Sequence, residues 1–548
     1  MPKRNLIALT VLVKLILVAV PVSVAGPLTG FSSERFTSAT ACGFCHNGLA
    51  DRAGSDVSLV DDWSTSMMAF SFIDPFWQAK IASEVARAPA LQDVIREKCS
   101  RCHAPMAHTL TDSDGGHGGK DIRNYFRQDN PYHAAAGEGV GCTLCHQIAD
   151  STILGTEASY TGNYAPALTS GRIYGQYSGV LAGPMMRMTG YEPLYGGQMH
   201  RSRICGICHN LKTPFVDRSG RLASTPATEF PEQAVYTEWE QSDYGEKGAT
   251  PASCQECHMP ATDGVVLASR PPWLDTPRDR FSRHTFFGAN TLIRDLILRN
   301  GLADGTPANR LRQNLGGVRR FLSAAATVSV TESSLIAKTL TVRVSVQNRA
   351  GHKFPTGFPS RRLVLHYTVK DEQGRIVFES GRSGDDSPRV AGVDADRDGL
   401  RFEPHHDVIT SPEQVQVYEG IMGDTEGNVT YTLLRGARFL KDNRLLPAGF
   451  SKENVPTEVR STPDALADPN FRDSQDLVTY VTTGLPGKRY TVNAELVYQA
   501  IGYRFLENLY EERSLPAVAA LRTAMEDAYF SQEIIARVEE TVSARDRQ

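Results

Sequence analysis

Two hydrophobic periods divide the chain. Leu340, Val342, Val344 and Val346 alternate with Thr341, Arg343, Ser345 and Gln347, the period of two that marks a strand with one buried face. Leu363 to Val369 and Arg375 to Phe378 flank Asp371-Glu372-Gln373-Gly374, a hairpin signal. Val415 to Tyr418, Val429 to Leu434 and Tyr490 to Tyr498 read as further strands. Short strands joined by Gly, Asn and Asp turns predict a β-sandwich domain over 323–505. Elsewhere the period is helical. Asp74-Pro75 is a start signal for a helix read to Val94. Leu292, Ile293, Leu296, Ile297 and Leu298 give an apolar face to a helical connector at 291–322, and Arg310, Arg312, Arg319 and Arg320 give it a basic face. Segment 506–548 reads as a C-terminal helical segment, with Val518, Leu521, Met525 and Tyr529 on one face and Ser514 as its cap. Residues 26–290 show only short helical stretches among long loops. The expected fold is therefore multidomain: a mostly irregular and α domain, a β-sandwich, and a C-terminal helix.

The length of 548 residues fits about three or four domains. Charge is nearly balanced, 58 Lys+Arg against 62 Asp+Glu, without the basic stripe that a nucleic-acid partner would require. The first 25 residues read as a cleaved secretory signal. Lys3 and Arg4 precede an apolar run from Leu6 to Val20 broken only by Lys14, and Ser23-Val24-Ala25 offers small residues for cleavage. The run is shorter than the roughly 20 apolar residues of a membrane span. The expectation is export to the periplasm or cell surface, with no stable membrane insertion after cleavage.

The ten cysteines change this picture most. In an exported protein an even count suggests disulfides, but the spacing overrules that. All ten lie in Cys-x-x-Cys-His motifs: Cys42, Cys45 and His46; Cys99, Cys102 and His103; Cys142, Cys145 and His146; Cys205, Cys208 and His209; Cys254, Cys257 and His258. Two thiols at this spacing can each form a thioether to a haem vinyl group, and the next residue, His, can bind the iron. Zinc ribbons need no His after every pair. The motifs predict five covalently bound haem c groups, with residues 26–290 as a pentahaem domain. The basic face of the connector, Arg310, Arg312, Arg319 and Arg320, is then either solvated or a partner for propionates, not a docking site.

Low-spin haems need a second axial ligand, His or Met. Fourteen histidines less the five in motifs leave nine. His200, just before the fourth motif, and His284 lead the candidates; His108 and His133, flanking the second and third motifs, follow. His117 lies in a glycine-rich loop, and His366 alternates within a strand pattern, which reads as structural. The first motif has no spare His nearby, but Met67 and Met68 follow it, and Met68 is the expected thioether ligand. His352 stands in Gly351-His352-Lys353-Phe354-Pro355-Thr356-Gly357, a rigid turn that can present an imidazole outward; it is the candidate that would join the β-domain to the haems.

The chain resembles multihaem cytochromes of the tetrahaem electron-carrier type over roughly residues 40–290. In those proteins a Trp-x-x-Ser-x-His-Ala segment follows the first motif; here Trp63-Ser64-Thr65-Ser66-Met67-Met68-Ala69 has Met68 in place of that His. The resemblance continues through Lys98 to Met106, Glu138 to Cys142, Cys208 to Leu211, and Cys254 to Pro260. The last stretch is also similar to cytochrome c nitrite reductases, which mark their catalytic haem with a Cys-x-x-Cys-Lys motif that this sequence lacks. The segment at His352 resembles a Gly-His-x-Phe-Pro-Thr-Gly stretch of exported multihaem proteins with an appended β-domain.

Asp394-Ala395-Asp396-Arg397-Asp398-Gly399 has the alternating carboxylates and turn glycine of a calcium loop, with His405 where an EF-hand places Glu; Ca²⁺ is a candidate second cofactor. The functional expectation is an exported electron carrier exchanging electrons with other redox proteins. The alternative is an oxidoreductase acting on a small nitrogen or sulfur compound at one open haem.

Overall fold

The computed structural model describes residues 28, 30–115, 122–384, 387–396, 398–526 and 533–544. The predicted signal segment, His117 and Tyr529 lie outside them. None of the described helices is long and apolar enough to cross a membrane.

The C-terminal half is built on two sheets. We label their strands β1 (Ala326–Ile336), β2 (Thr339–Asn348), β3 (Arg362–Lys370), β4 (Ile376–Ser380), β5 (Val408–Ile409), β6 (Val417–Gly423), β7 (Arg438–Asp442), β8 (Gln475–Thr482), β9 (Arg489–Gln499) and β10 (Glu533–Ser543). One sheet has the order β5-β8-β2-β1; the other runs β7-β6-β3-β9-β10, with β4 also paired to β3. Side chains from both sheets close over one core, in which the ring of Tyr367 on β3 stacks on that of Tyr480 on β8 at 3.8 Å. The alternation in β2 places Leu340, Val342, Val344 and Val346 in this core.

Three expectations are corrected. The helix beginning at Asp74 runs from Pro75 to Arg87, not to Val94, and a new helix starts at Gln92. Pro89 separates them, because its ring and missing N–H cannot continue a helix. Asp74 does cap the first, accepting from the backbone N–H groups of Phe76 and Trp77. Second, Val429 to Leu434 is no strand. The N–H groups of Leu433 and Leu434 donate to the Glu84 carboxylate at 2.7 and 3.1 Å, and the Tyr431 carbonyl accepts from Lys80 Nζ at 2.8 Å. Side chains of the Pro75–Arg87 helix thus take the backbone groups a ladder would have used.

Third, the C-terminal segment is only partly helical. Helices Tyr503–Tyr510 and Pro516–Glu526 are followed by β10, which extends the larger sheet along β9. Val518, Leu521 and Met525 are buried as expected, but in a core shared with Phe70, Trp77 and Ile81 of the first half. The connector consists of two helices, Thr291–Arg299 and Ala308–Ser323. Part of its basic face is paired: Arg319 reaches Glu533 at 2.9 Å, and Arg310 reaches Asp56 and Asp61.

Candidate functional site: five cysteine–histidine motifs

Each motif lies on a short helix or at its end: Ala39–His46, Gln92–His103, Cys142–Cys145, Arg203–His209 and Cys254–His258. Helical residues three apart share a face, so both thiols of a motif project to one side. The last helix starts with a capping box between Ser253 and Glu256. The fourth packs so closely on Tyr236 that a Cβ at Gly206 would lie 2.8 Å from the ring. None of the ten cysteines is in a disulfide. Burial raises the Cys145 thiol to about 11 and the Cys99 thiol further still. Thiols of different motifs lie close enough to influence one another: Cys42 and Cys142, Cys102 and Cys208, and Cys205 and Cys254. Cys145 lies close enough to influence both Cys205 and Cys208. All five motifs therefore belong to one connected cluster.

The motif imidazoles are oriented by backbone. Nδ1 of His46 donates to the Leu267 carbonyl at 2.9 Å, His103 to Ser71 at 2.7 Å, His146 to Tyr174 at 2.6 Å and His258 to Phe287 at 2.5 Å. A carbonyl can only accept, so Nδ1 carries the proton and the Nε2 lone pair remains for a metal. Trp77 stacks on His103 at 4.3 Å, fixing that ring further. Burial also lowers these groups, His103 and His258 to about 4, so they are neutral at pH 7, as metal binding requires. The His209 imidazole is lowered too, first by desolvation and then by Arg361 and His352.

Two spare histidines face motif imidazoles. His284 lies 6.1 Å from His146 between ring centroids, with planes 14° apart; His352 lies 6.2 Å from His258 at 11°. Two metal–imidazole bonds of about 2 Å each, plus half a ring on either side, give a centroid separation of roughly 6 Å. Both spare rings are anchored like the motif rings: His284 Nδ1 donates to Ser282 at 3.1 Å and His352 Nδ1 to Lys353 at 2.8 Å. The geometry and the tautomer both fit an iron between each pair.

The other candidates are placed differently. His133 is buried, with Nδ1 donating to the Tyr125 carbonyl at 2.6 Å. His108 is buried on the helix after the second motif, with Nδ1 donating to Ser100 Oγ at 2.9 Å, while the Ser100 hydroxyl donates to Glu97. His200 is exposed, and its Nε2 lies 3.0 Å from the Gln176 carbonyl, so its ε nitrogen is the protonated one. Met68 is half-buried in the turn after the Leu59–Trp63 helix, where its carbonyl accepts from Val140 at 3.0 Å. His366 lies between Glu379 and Glu495.

Among the described residues, one group of metal-capable side chains converges: His405, Asp468 and Asp476, all buried. Its hydrogen bonds argue against a metal. His405 Nδ1 receives the amide groups of Gln416 at 2.9 Å and Asn443 at 3.0 Å. Both amides are fixed in orientation, because Gln416 Oε1 accepts from His406 and Asn443 Oδ1 accepts from Glu419. Nδ1 is therefore unprotonated, and Nε2 carries the proton toward Asp468 at 3.1 Å. This is the reverse of the tautomer at the motifs. The acidic loop is not drawn together as a calcium site either. Both Asp394 oxygens accept from Arg362, at 3.0 and 2.6 Å, Asp396 pairs with Arg504, and Asp398 is exposed.

Sequence reasoning missed the carbonyl anchors of the motif histidines, because a backbone acceptor leaves no mark in residue type. It also missed Trp77. No protein-family model matches the chain, and no curated protein matches it. Among solved structures, the chain is similar to a penta-heme cytochrome c552 from Thermochromatium tepidum. The two are 15% identical, the match covers 92% of this chain and 98% of the other, and the TM-score is 0.47, a likeness too loose to carry an argument.

Proposed function

We propose that the chain is an exported pentahaem c-type cytochrome that moves electrons between redox partners. The observation that carries this is the combination at the motifs: ten unlinked cysteines with five adjacent histidines, four of them held by backbone carbonyls with Nε2 left for iron. Haem iron supplies the one-electron chemistry. The ten cysteines would hold the porphyrin edges through thioethers, and the backbone carbonyls orient the motif imidazoles that would bind the iron. The proximity of the thiols supports a continuous relay: the first motif lies by the third, the third by the fourth, and the fourth by the second and fifth. His146 with His284, and His258 with His352, would hold a haem iron between their rings. Mass spectrometry of the purified exported protein should give the chain without residues 1–25 plus five haem masses. Free thiols, or zinc at the cysteines, would overturn the reading.

A second reading is an oxidoreductase for a small nitrogen or sulfur compound. The observation favouring it is that no imidazole ring is stacked opposite His46, His103 or His209 among the described residues in the way His284 and His352 are. Paramagnetic resonance separates the two readings: a carrier gives five low-spin signals, an enzyme of this kind at least one high-spin haem. Met68 is the proposed ligand opposite His46. The wild type should then show a near-infrared sulfur-to-iron band, and Met68→Ala should abolish it. Absence of that band in the wild type removes Met68 from the ligand set.

A further inference from the structure

Arg294, on the Thr291–Arg299 helix, is 1% exposed. Its Nε and Nη1 groups have no hydrogen-bond partner. Nη2 makes one long contact, 3.4 Å to the Phe286 carbonyl. Burial lowers the guanidinium to about 10, and no carboxylate opposes the shift; neighbouring Asp295 is paired with Arg299. A buried cation without a counter-charge costs several kcal/mol or more, so a folded chain that keeps one has an anion for it. Beside the same Phe286 peptide, Thr285 is 4% exposed and its hydroxyl is also unpartnered. Asn314 holds this segment through Nδ2 to the Thr285 carbonyl at 3.3 Å, with its own Oδ1 unpartnered. The segment lies immediately after His284, and Phe287 within it anchors His258. A guanidinium and a hydroxyl together recognise a carboxylate.

We propose that Arg294 and Thr285 bind a haem propionate, that of the haem held between His146 and His284. This rests on the cytochrome reading above and adds to it a cofactor subsite with a defined electrostatic role. A cation beside a propionate favours the reduced haem, because it offsets the charge added with the electron. Arg294 is therefore a positioning and potential-setting residue.

The test is a spectroelectrochemical titration of holoprotein whose five haems have been counted by mass, comparing wild type with Arg294→Gln, Arg294→Lys and Thr285→Val. Arg294→Gln should shift the reduction equilibrium of one haem about tenfold toward the oxidised form, ~59 mV for one electron. Arg294→Lys, which keeps the charge, should stay close to wild type, and Thr285→Val should move the same haem in the same direction by less. If Arg294→Gln does not accumulate, Thr285→Val decides the matter alone. Five unchanged potentials in a variant carrying five haems would overturn the proposal and leave the cytochrome reading intact. A wild type without haem would overturn the cytochrome reading itself.

Discussion

Asp442→Asn should destabilise the protein by about 3–5 kcal/mol, the usual cost of removing one partner from a buried ion pair. Asp442 ends β7 and is 1% exposed. It accepts Lys353 Nζ at 2.8 Å and two Arg444 nitrogens at 2.9 and 2.8 Å. Arg444 continues to Glu238 at 2.8 Å, on the Val235–Glu240 helix that follows the fourth motif. Burial alone would raise the Asp442 carboxyl; Arg444 and Lys353 together outweigh it and hold the group at about 2. Asn would leave two buried cations facing Glu238 alone. Against a typical total stability of about 5–15 kcal/mol, the loss should appear as a much lower urea midpoint.

The pH dependence has a definite sign. The folded carboxyl lies below its ordinary value, so its contribution is present above about pH 4 and is lost as pH falls toward 2. Wild type should weaken across that window, and Asp442→Asn should show less of the change. An Asn variant with an unaltered midpoint at pH 7 would mean that water or rearranged side chains satisfy Lys353 and Arg444.

How much of this was legible depends on where each interaction is encoded. Side-chain alternation gave β2, because a half-buried strand writes its geometry into every second residue, and the turn residues Asp371 to Gly374 gave β3 and β4, although β3 is buried on both faces. The spacing of Cys and His gave the motifs, because thioether chemistry fixes residue type and separation. Strand β10 was not legible. Its sequence, Glu533-Ile534-Ile535-Ala536-Arg537-Val538-Glu539-Glu540-Thr541-Val542-Ser543, has an edge face crowded with charge, which edge strands use to avoid pairing with other chains. Leu433 and Leu434 look like strand residues, and only Glu84, some 350 positions away in sequence, removes them from a ladder. Among the spare histidines, proximity in sequence was a poor guide. His200, beside a motif, turns outward to Gln176, while His352, nearly 100 residues beyond His258, faces it at 6.2 Å. What marked His352 in the sequence was its rigid turn, Gly351 to Gly357, not its distance from a motif.

His352→Ala should convert one low-spin haem to a high-spin one while all five remain attached, since thioethers to Cys254 and Cys257 do not depend on the distal side. His352 is well built for ligation. Its Nδ1 is held by the Lys353 carbonyl, Lys353 is locked to Asp442, and the Gly351 carbonyl accepts from Ser242 at 3.0 Å. Thr356 in the same turn donates to Glu238 at 2.6 Å. The turn therefore cannot swing away without breaking buried polar contacts on both of its sides. His352→Met should also remain low-spin if the loop lets sulfur reach the iron, and a thioether there should raise that potential. Deleting residues 323–548 is not an equivalent experiment. Lys80 and Glu84 bond the 431–434 backbone, and the Pro75–Arg87 helix packs on Pro516–Glu526, so truncation would open the core of the first half. The point substitution isolates one imidazole, with His284→Ala as its counterpart opposite His146. Five low-spin haems in His352→Ala would make His352 a turn residue. The β-domain would then join the first half through the shared core and the ion cluster at Asp442, not through iron.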